Sequence, residues 1–182
     1  MAEPASRARG AGARCHRLLD SPLGTLCLVG DAAGRLVELR FPGPEGPDRP
    51  RDAVQDGRAL DEAARQLEEY FAGRRQRFEL VLAVDGTPFQ RRVWGALRQI
   101  PFARTASYAE VAARIGRATA ARAVGAANRK NPLPIVVPCH RVVGADGRLI
   151  GFAGGLERKA WLLRHEARVA GAGHRAAGLA GA

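Results

Sequence analysis

The sequence is short of cysteine, of lysine and of long apolar runs. Its 182 residues hold three cysteines, Cys15, Cys27 and Cys139. They form no CxxC pair, and their odd number excludes a closed disulfide framework. A lone thiol suits a reducing compartment, where it persists and can react. No segment approaches the roughly 20 apolar residues that span a bilayer, and residues 1–14 lack the apolar stretch of a signal peptide. The expectation is therefore a cytoplasmic protein with no membrane partner. Acidic residues are also few: 18 Asp and Glu stand against 29 Lys and Arg, a formal charge of +11. Such a surface attracts polyanions and speeds their association, with counterion release added when the polyanion is nucleic acid. Solubility alone, or basic tails that touch nothing, would give the same charge, so charge by itself leaves nucleic-acid binding open.

What is present organises the chain into two halves and two tails. A chain of this length buries a core and supports one domain or two small ones sharing an interface. Residues 1–14 and 170–182 are rich in Gly, Ala and Arg without a sustained apolar period, and are expected to be disordered. Residues 15–84 read as a small α+β unit. Leu26 and Leu28, then Leu36, Val37, Leu39 and Phe41, suggest short antiparallel strands punctuated by Ser21-Pro22-Leu23-Gly24 and Asp31-Ala32-Ala33-Gly34. Residues 42–58, crowded with Pro, Gly and charge, read as a surface loop. Leu60, Ala64, Leu67 and Phe71 share a helical face that Gly73 ends, and residues 77–84 alternate like another strand.

Residues 85–169 are mainly helical. Thr87-Pro88-Phe89-Gln90 offers an N-cap, a first-turn proline and a capping-box glutamine. Phe89, Val93, Leu97 and Ile100 follow at helical spacing until Pro101. Ser107-Tyr108-Ala109-Glu110 is a second capping box, opening a helix that stops at Gly116, and Thr119 is placed to cap a helix over 120–128. Two short helices around Gly116 have helix-turn-helix spacing. Many cores contain such pairs, so the spacing does not by itself mean DNA. The second helix is lined with small residues, Ala121, Ala123 and Gly125 among them, from which Arg122 and Arg129 project. Small residues allow entry into a narrow groove or close packing inside the protein, and the sequence leaves both readings open. Trp94 and Trp161 sit within helical apolar patterns and read as core aromatics.

The chemistry lies further on. Asn131-Pro132-Leu133-Pro134 holds the chain extended, because each proline fixes its own φ and restricts the residue before it. A buried apolar run, Ile135-Val136-Val137, then delivers Pro138-Cys139-His140-Arg141-Val142-Val143. A thiol is a strong nucleophile only as thiolate, which neighbouring positive charge or a hydrogen-bonded base supplies. His140 is placed to take the proton, and a carboxylate orienting the imidazole would complete the relay. A plain buried cysteine beside an unconnected histidine fits the same pair of letters.

The longer string separates these readings. Pro138-Cys139-His140-Arg141-Val142 resembles the signature of the O6-alkylguanine-DNA alkyltransferases, the methylated-DNA–protein-cysteine methyltransferases. Asp20-Ser21-Pro22-Leu23-Gly24, Thr87–Trp94, Ala121-Arg122-Ala123-Val124-Gly125, Asn131-Pro132, Gly151-Phe152-Ala153-Gly154-Gly155 and Trp161–Glu166 resemble further family segments in order. The likeness runs from about Cys15 to Arg168. It implies an α+β fold with a small antiparallel-sheet, ribonuclease-H-like N-terminal domain and a helical C-terminal domain carrying a helix-turn-helix. It implies single-turnover repair: an alkyl group passes from the 6-oxygen of guanine, and from the 4-oxygen of thymine, to Cys139. His140 would remove the thiol proton through water, held by Glu166, while Asn131 would fix the turn beneath the site. Tyr108 would assist nucleotide rotation and the leaving base. Arg122 would fill the space of the extruded base, with Ala121, Ala123 and Gly125 letting its helix into the minor groove. Backbone groups of Cys139 and Val142 would accept from guanine, the Ala153 amide would approach the 6-oxygen, and Phe152 would wall the alkyl pocket. The partner implied is double-stranded DNA bearing O6-alkylguanine, bound by a monomer that can line up cooperatively.

No cofactor is implied. Cys15 and His16 are adjacent, which is poor geometry for a metal, and no fourth ligand at family spacing is visible, so no metal site is expected. Three other readings compete. A lesion-binding relative without transfer activity would lack the acceptor thiol. A thiol hydrolase built on Cys139, His140 and Glu166 would leave the Arg122 helix unexplained, and a helix-turn-helix regulator would leave the thiol unexplained.

Overall fold

A computed structural model describes residues 14–55 and 58–179, with side chains to residue 172; most of the first expected tail, and residues 173–182 of the second as side chains, lie outside it. The first half builds a four-stranded sheet from β1 (Arg14–Leu19), β2 (Leu26–Gly30), β3 (Leu36–Arg40) and β4 (Ala53–Gln55), in the order β3-β2-β1-β4. β1 and β2 pair antiparallel through the turn at Gly24, whose φ of +93° suits a residue without a Cβ. β2 and β3 pair antiparallel too, while β4 joins the edge of β1 in parallel. Two expectations are corrected here. The segment 42–58, read as a loop, contains β4, because its short Ala53-Val54-Gln55 stretch finds the open edge of β1. The segment 77–84, read as a strand, makes only one isolated bridge, Leu36 to Leu82, through Leu36 N–H to the Val81 carbonyl and Ala83 N–H to the Leu36 carbonyl. Alternation in sequence gave it two faces, but only the Val81 carbonyl and the Ala83 N–H meet a strand, while Glu79 bonds through its backbone to the Gln66 side chain.

Helix α1 (Asp61–Phe71) covers the sheet with Ala63, Ala64, Leu67 and Tyr70 buried. Gly73, at φ +74°, ends it and returns its N–H to the Tyr70 carbonyl.

In the second half, α2 (Pro88–Arg98) and α3 (Tyr108–Arg114) open on complete capping boxes, Thr87 with Gln90 and Ser107 with Glu110. These side chains satisfy N–H groups that a helix start leaves bare. α4 is Ala121–Arg129, and its N-cap is Ala120, which makes no side-chain cap. Thr119 therefore does not cap it. The preceding turn closes on backbone alone, Ala120 N–H to the Arg117 carbonyl. A two-stranded ribbon, β5 (Ala106–Ser107) with β6 (Val142–Val143), joins the start of α3 to the segment after Cys139. Finally α5 runs Leu156–Leu179. It passes residue 170, where the sequence reading placed a disordered tail. Alanine-rich backbone keeps helical propensity without an apolar face to bury.

The halves share one core, in which Leu26, Leu67, Leu97, Ile100, Leu133 and Leu162 are fully buried. Backbone crosses between them where Leu39 N–H donates to the Pro132 carbonyl at 2.8 Å. Arg158 of α5 makes a second tie: its guanidinium donates to the carbonyls of Leu23, Pro42 and Gly154 and lies 5.2 Å over the Phe41 ring.

Candidate active site

Everything that holds Cys139 is short-range and proline-shaped. Asn131 acts as a substitute for secondary structure: its Nδ2 donates to the Val137 carbonyl at 2.8 Å, and its Oδ1 accepts from Leu133 N–H at 3.0 Å. Val137 N–H returns to the Leu133 carbonyl at 2.8 Å, which forces Ile135 to a φ of +75°. That conformation is costly for a β-branched residue and persists because the surrounding bonds fix it. Pro138, at φ −79° and ψ 63°, makes an inverse γ-turn in which Cys139 N–H meets the Val137 carbonyl at 2.7 Å. Cys139 then opens a 3₁₀ turn through Arg141, and its carbonyl accepts from Asn128 Nδ2 of α4 at 3.4 Å. The thiol-bearing turn is thus bonded to the arginine-bearing helix.

Behind the thiol lies a buried polar network centred on Glu166. His140 is fully buried, and its Nε2 lies 2.9 Å from Glu166 Oε1. Because the carboxylate is ionised, Nε2 carries the proton and donates it. Nδ1 is left with a lone pair, buried and without a partner among the described residues. Glu166 also accepts from Arg141 Nε and Nη2 (2.9–3.2 Å), from the Tyr70 hydroxyl at 2.9 Å and from Ala103 N–H at 2.9 Å. The remaining Arg141 amine donates to the Ile100 carbonyl at 2.7 Å. Burial raises the proton affinity of Glu166, but the hydrogen bonds and charges of His140 and Arg141 outweigh it and hold the carboxyl down to about 2. Burial pushes His140 below the ordinary imidazole value, against the pull of Glu166, so the ring rests neutral.

Burial pushes Cys139 up to about 11, and the Asn131 amide and the charge of Lys159 only partly offset it. Nor does the guanidinium beside it in sequence help, for Arg141 is committed to Glu166. The resting state is a neutral thiol and a neutral imidazole, the latter with its Nδ1 lone pair unpartnered among the described residues. Lys159, buried on α5, donates 2.6 Å hydrogen bonds to the carbonyls of Val142 and Ile150, and burial lowers it to about 8.

The other expected residues take these places. Tyr108 is the first residue of α3; its hydroxyl donates to the Ile150 carbonyl at 2.9 Å, and its ring lies beside Gly125 of α4, where an added Cβ would sit 3.7 Å away. Burial is the main influence raising its hydroxyl's proton affinity, with the Cys139 charge next. On α4, Arg122 and Ala123 are exposed, Ala121 and Gly125 half-buried, while Val124, Ala127 and Asn128 face inward. The small residues thus serve both readings, packing and an open face. Val142 is buried in β6, Ala153 is exposed, and Phe152 is buried edge-on against Phe41, with ring centroids 5.6 Å apart. Trp94 is a core aromatic, donating from Nε1 to the Ala127 carbonyl, and Trp161 is half-buried and stacked on His165. Tyr70, Asn128 and Lys159 were not picked out in the sequence. Only the tertiary contact reveals them.

Fold and site together define an α+β protein with a buried cysteine, a neighbouring imidazole hydrogen-bonded to a buried carboxylate, and a helix bonded to the cysteine's turn that exposes arginine. The family described as 6-O-methylguanine DNA methyltransferase, ribonuclease-like domain, matches residues 15–84, and its DNA binding domain matches residues 88–168. A methylated-DNA–protein-cysteine methyltransferase of Methanosarcina barkeri is 46% identical over 152 residues, covering 83% of this chain and 96% of that protein. One from Mycolicibacterium paratuberculosis is 47% identical, covering 84% and 92%. The crystal structure of Mycobacterium tuberculosis O6-methylguanine methyltransferase superposes with a TM-score of 0.77 at 46% identity, covering 84% and 92%. The same organism's OGT in complex with DNA gives 0.78, also at 46% identity, covering 85% and 93%. The chain belongs to the 6-O-methylguanine DNA methyltransferase family.

Proposed function

We propose that this protein repairs alkylated DNA by moving the alkyl group from the 6-oxygen of guanine onto Cys139, once per molecule, and that the 4-oxygen of thymine is a second donor. The observation that carries this reading is a buried Cys139 whose chain neighbour His140 is hydrogen-bonded to Glu166, on a turn bonded through Asn128 to the helix that presents Arg122 to solvent. The proton of the thiol passes through a water to the free Nδ1 of His140, and Glu166, accepting at Nε2–H, stabilises the imidazolium. The thiolate attacks the alkyl carbon in line. A sulfur–carbon bond forms, the carbon–oxygen bond breaks, and its electron pair leaves with the purine. Tyr108, once turned from the Ile150 carbonyl toward the base, offsets the charge developing there. The thioether offers water no leaving group, so the protein does not turn over.

The target atom lies inside a duplex, so the nucleotide has to rotate out, at a cost of a few kcal/mol. Arg122 fills the vacated space, and Ala121, Ala123 and Gly125 let α4 approach the minor groove closely. The carbonyls of Cys139 and Val142 receive the purine edge, the Ala153 amide reaches the 6-oxygen, and Phe152, propped by Phe41, walls the alkyl group. Binding rests on phosphate contacts made by a monomer, with copies able to bind side by side. Residues 85–169 carry this chemistry, and residues 15–84 brace it.

The test is protein mass after incubation with an equimolar duplex holding one O6-methylguanine. One methyl on Cys139, restored guanine and no second turnover are expected; repeated turnover, or a tightly held intact lesion, rejects the reading. Cys139→Ala abolishes transfer and keeps binding. Arg122→Ala slows reaction in duplex and spares reaction with the free alkylated base.

A further inference from the structure

Glu166 receives a donor from the opposite half of the chain. Tyr70 stands on α1, packed on the sheet, 96 residues before the carboxylate it contacts. Its ring is fully buried among Phe71, Phe78, Phe102 and His165, at centroid separations of 5.2–6.2 Å. Aromatic packing would hold an unsubstituted ring there equally well. The hydroxyl is what needs a reason, since a buried O–H with one acceptor is placed by that acceptor. It meets Oε1, the same oxygen that accepts from His140.

We propose that Tyr70 is a positioning residue of the transfer reaction: its hydroxyl shares Glu166 Oε1 with His140 and thereby limits how strongly the carboxylate holds an imidazolium. The proposal rests on the transfer reading given above. Oε1 is a single charged atom with several donors. Each donor that takes part of its negative charge leaves less for the others. With Tyr70 in place, His140 stays neutral and ready to accept; without it, Glu166 pulls harder on the ring and favours its protonated form. The charged and titratable groups facing this pair are Arg141 from the 3₁₀ turn, Lys159 from α5 and Tyr70 itself, with His165 donating from its ring to the Tyr70 carbonyl at 2.8 Å. Arg141 and Lys159 are fixed cations at acid to neutral pH, so the acid limb of the rate reports protonation of His140.

The experiment measures single-turnover methylation of Cys139 by a methylated duplex from about pH 5 to 9, a span that brackets imidazole titration. Tyr70→Phe keeps the ring and removes the donor. Its acid limb is expected to move up by roughly half a unit to one unit, about half of what a lost bond to a charged group is worth, since the effect reaches His140 only through the shared oxygen. Phe71→Leu disturbs the same aromatic cluster without touching the carboxylate and should leave the limb in place. Site-specific replacement of Tyr70 by 3-fluorotyrosine, a stronger donor, should move it down, and serves where Tyr70→Phe folds poorly. A limb that stays put in both Tyr70 variants, or that Phe71→Leu moves equally, overturns the proposal. If the unaltered protein transfers no methyl group, it is the transfer reading that fails.

Discussion

At the scale of single residues, Asn131 is the side chain with the most backbone in its charge. It serves one donor and one acceptor of a buried loop that has no ladder of its own. Asn131→Ala strands the Leu133 N–H away from water and leaves the Val137 carbonyl with the Cys139 N–H alone, and should cost about 1–3 kcal/mol, the scale of one buried polar group left unpaired. Urea unfolding checks the stability, and the transfer rate should fall with it, because the same loop aims the thiol. The pairing of His140 with Glu166 was legible in sequence, from the string around the cysteine and the Trp161–Glu166 segment together. The ionisation state was not. Arg141 stands two residues from the thiol in sequence, but a guanidinium acts where its long side chain ends, and this one ends on Glu166. Tyr70 could not be read at all, because nothing local to α1 distinguishes a hydroxyl with a distant acceptor from one at the surface.

At the scale of elements, local chemistry predicts helix starts well and strand pairing poorly. The Thr87 and Ser107 boxes are complete within four residues, so the sequence contains the whole interaction. Ser107→Ala should cost about 1 kcal/mol of stability, measured by thermal or urea unfolding. Its larger effect should be on transfer, since Tyr108 begins the helix that Ser107 caps. β4 and the Leu82 bridge were misread for the opposite reason: a strand exists only where a partner edge is free, and that depends on residues far along the chain. The extension of α5 past residue 170 belongs with the helix starts. Its alanine content states a propensity, and composition alone took that for a tail.

For the whole molecule, one carboxylate joins both halves and ties stability to acidity. Glu166 binds its proton far more weakly when folded, at about 2, than the usual 4.5 of an unfolded carboxyl. Its contribution is therefore complete above the unfolded value and is lost as pH falls from there through the folded one. Urea midpoints measured down the acid range should decline over that window, and Glu166→Gln should flatten the decline while lowering stability at neutral pH. In the variant Arg141 loses its counter-charge in the interior, a change that costs about 3–5 kcal/mol in comparable buried pairs.

The inverse γ-turn at Pro138 and the left-handed Ile135 fix the sulfur's seat before any DNA arrives. For a catalyst that cycles, such stiffness would have to be reconciled with letting product go. On the transfer reading this molecule keeps the alkyl group on its sulfur and releases only the repaired DNA. Its recess can be set for good when the chain first folds, and the conformational freedom lost at that moment need never be recovered.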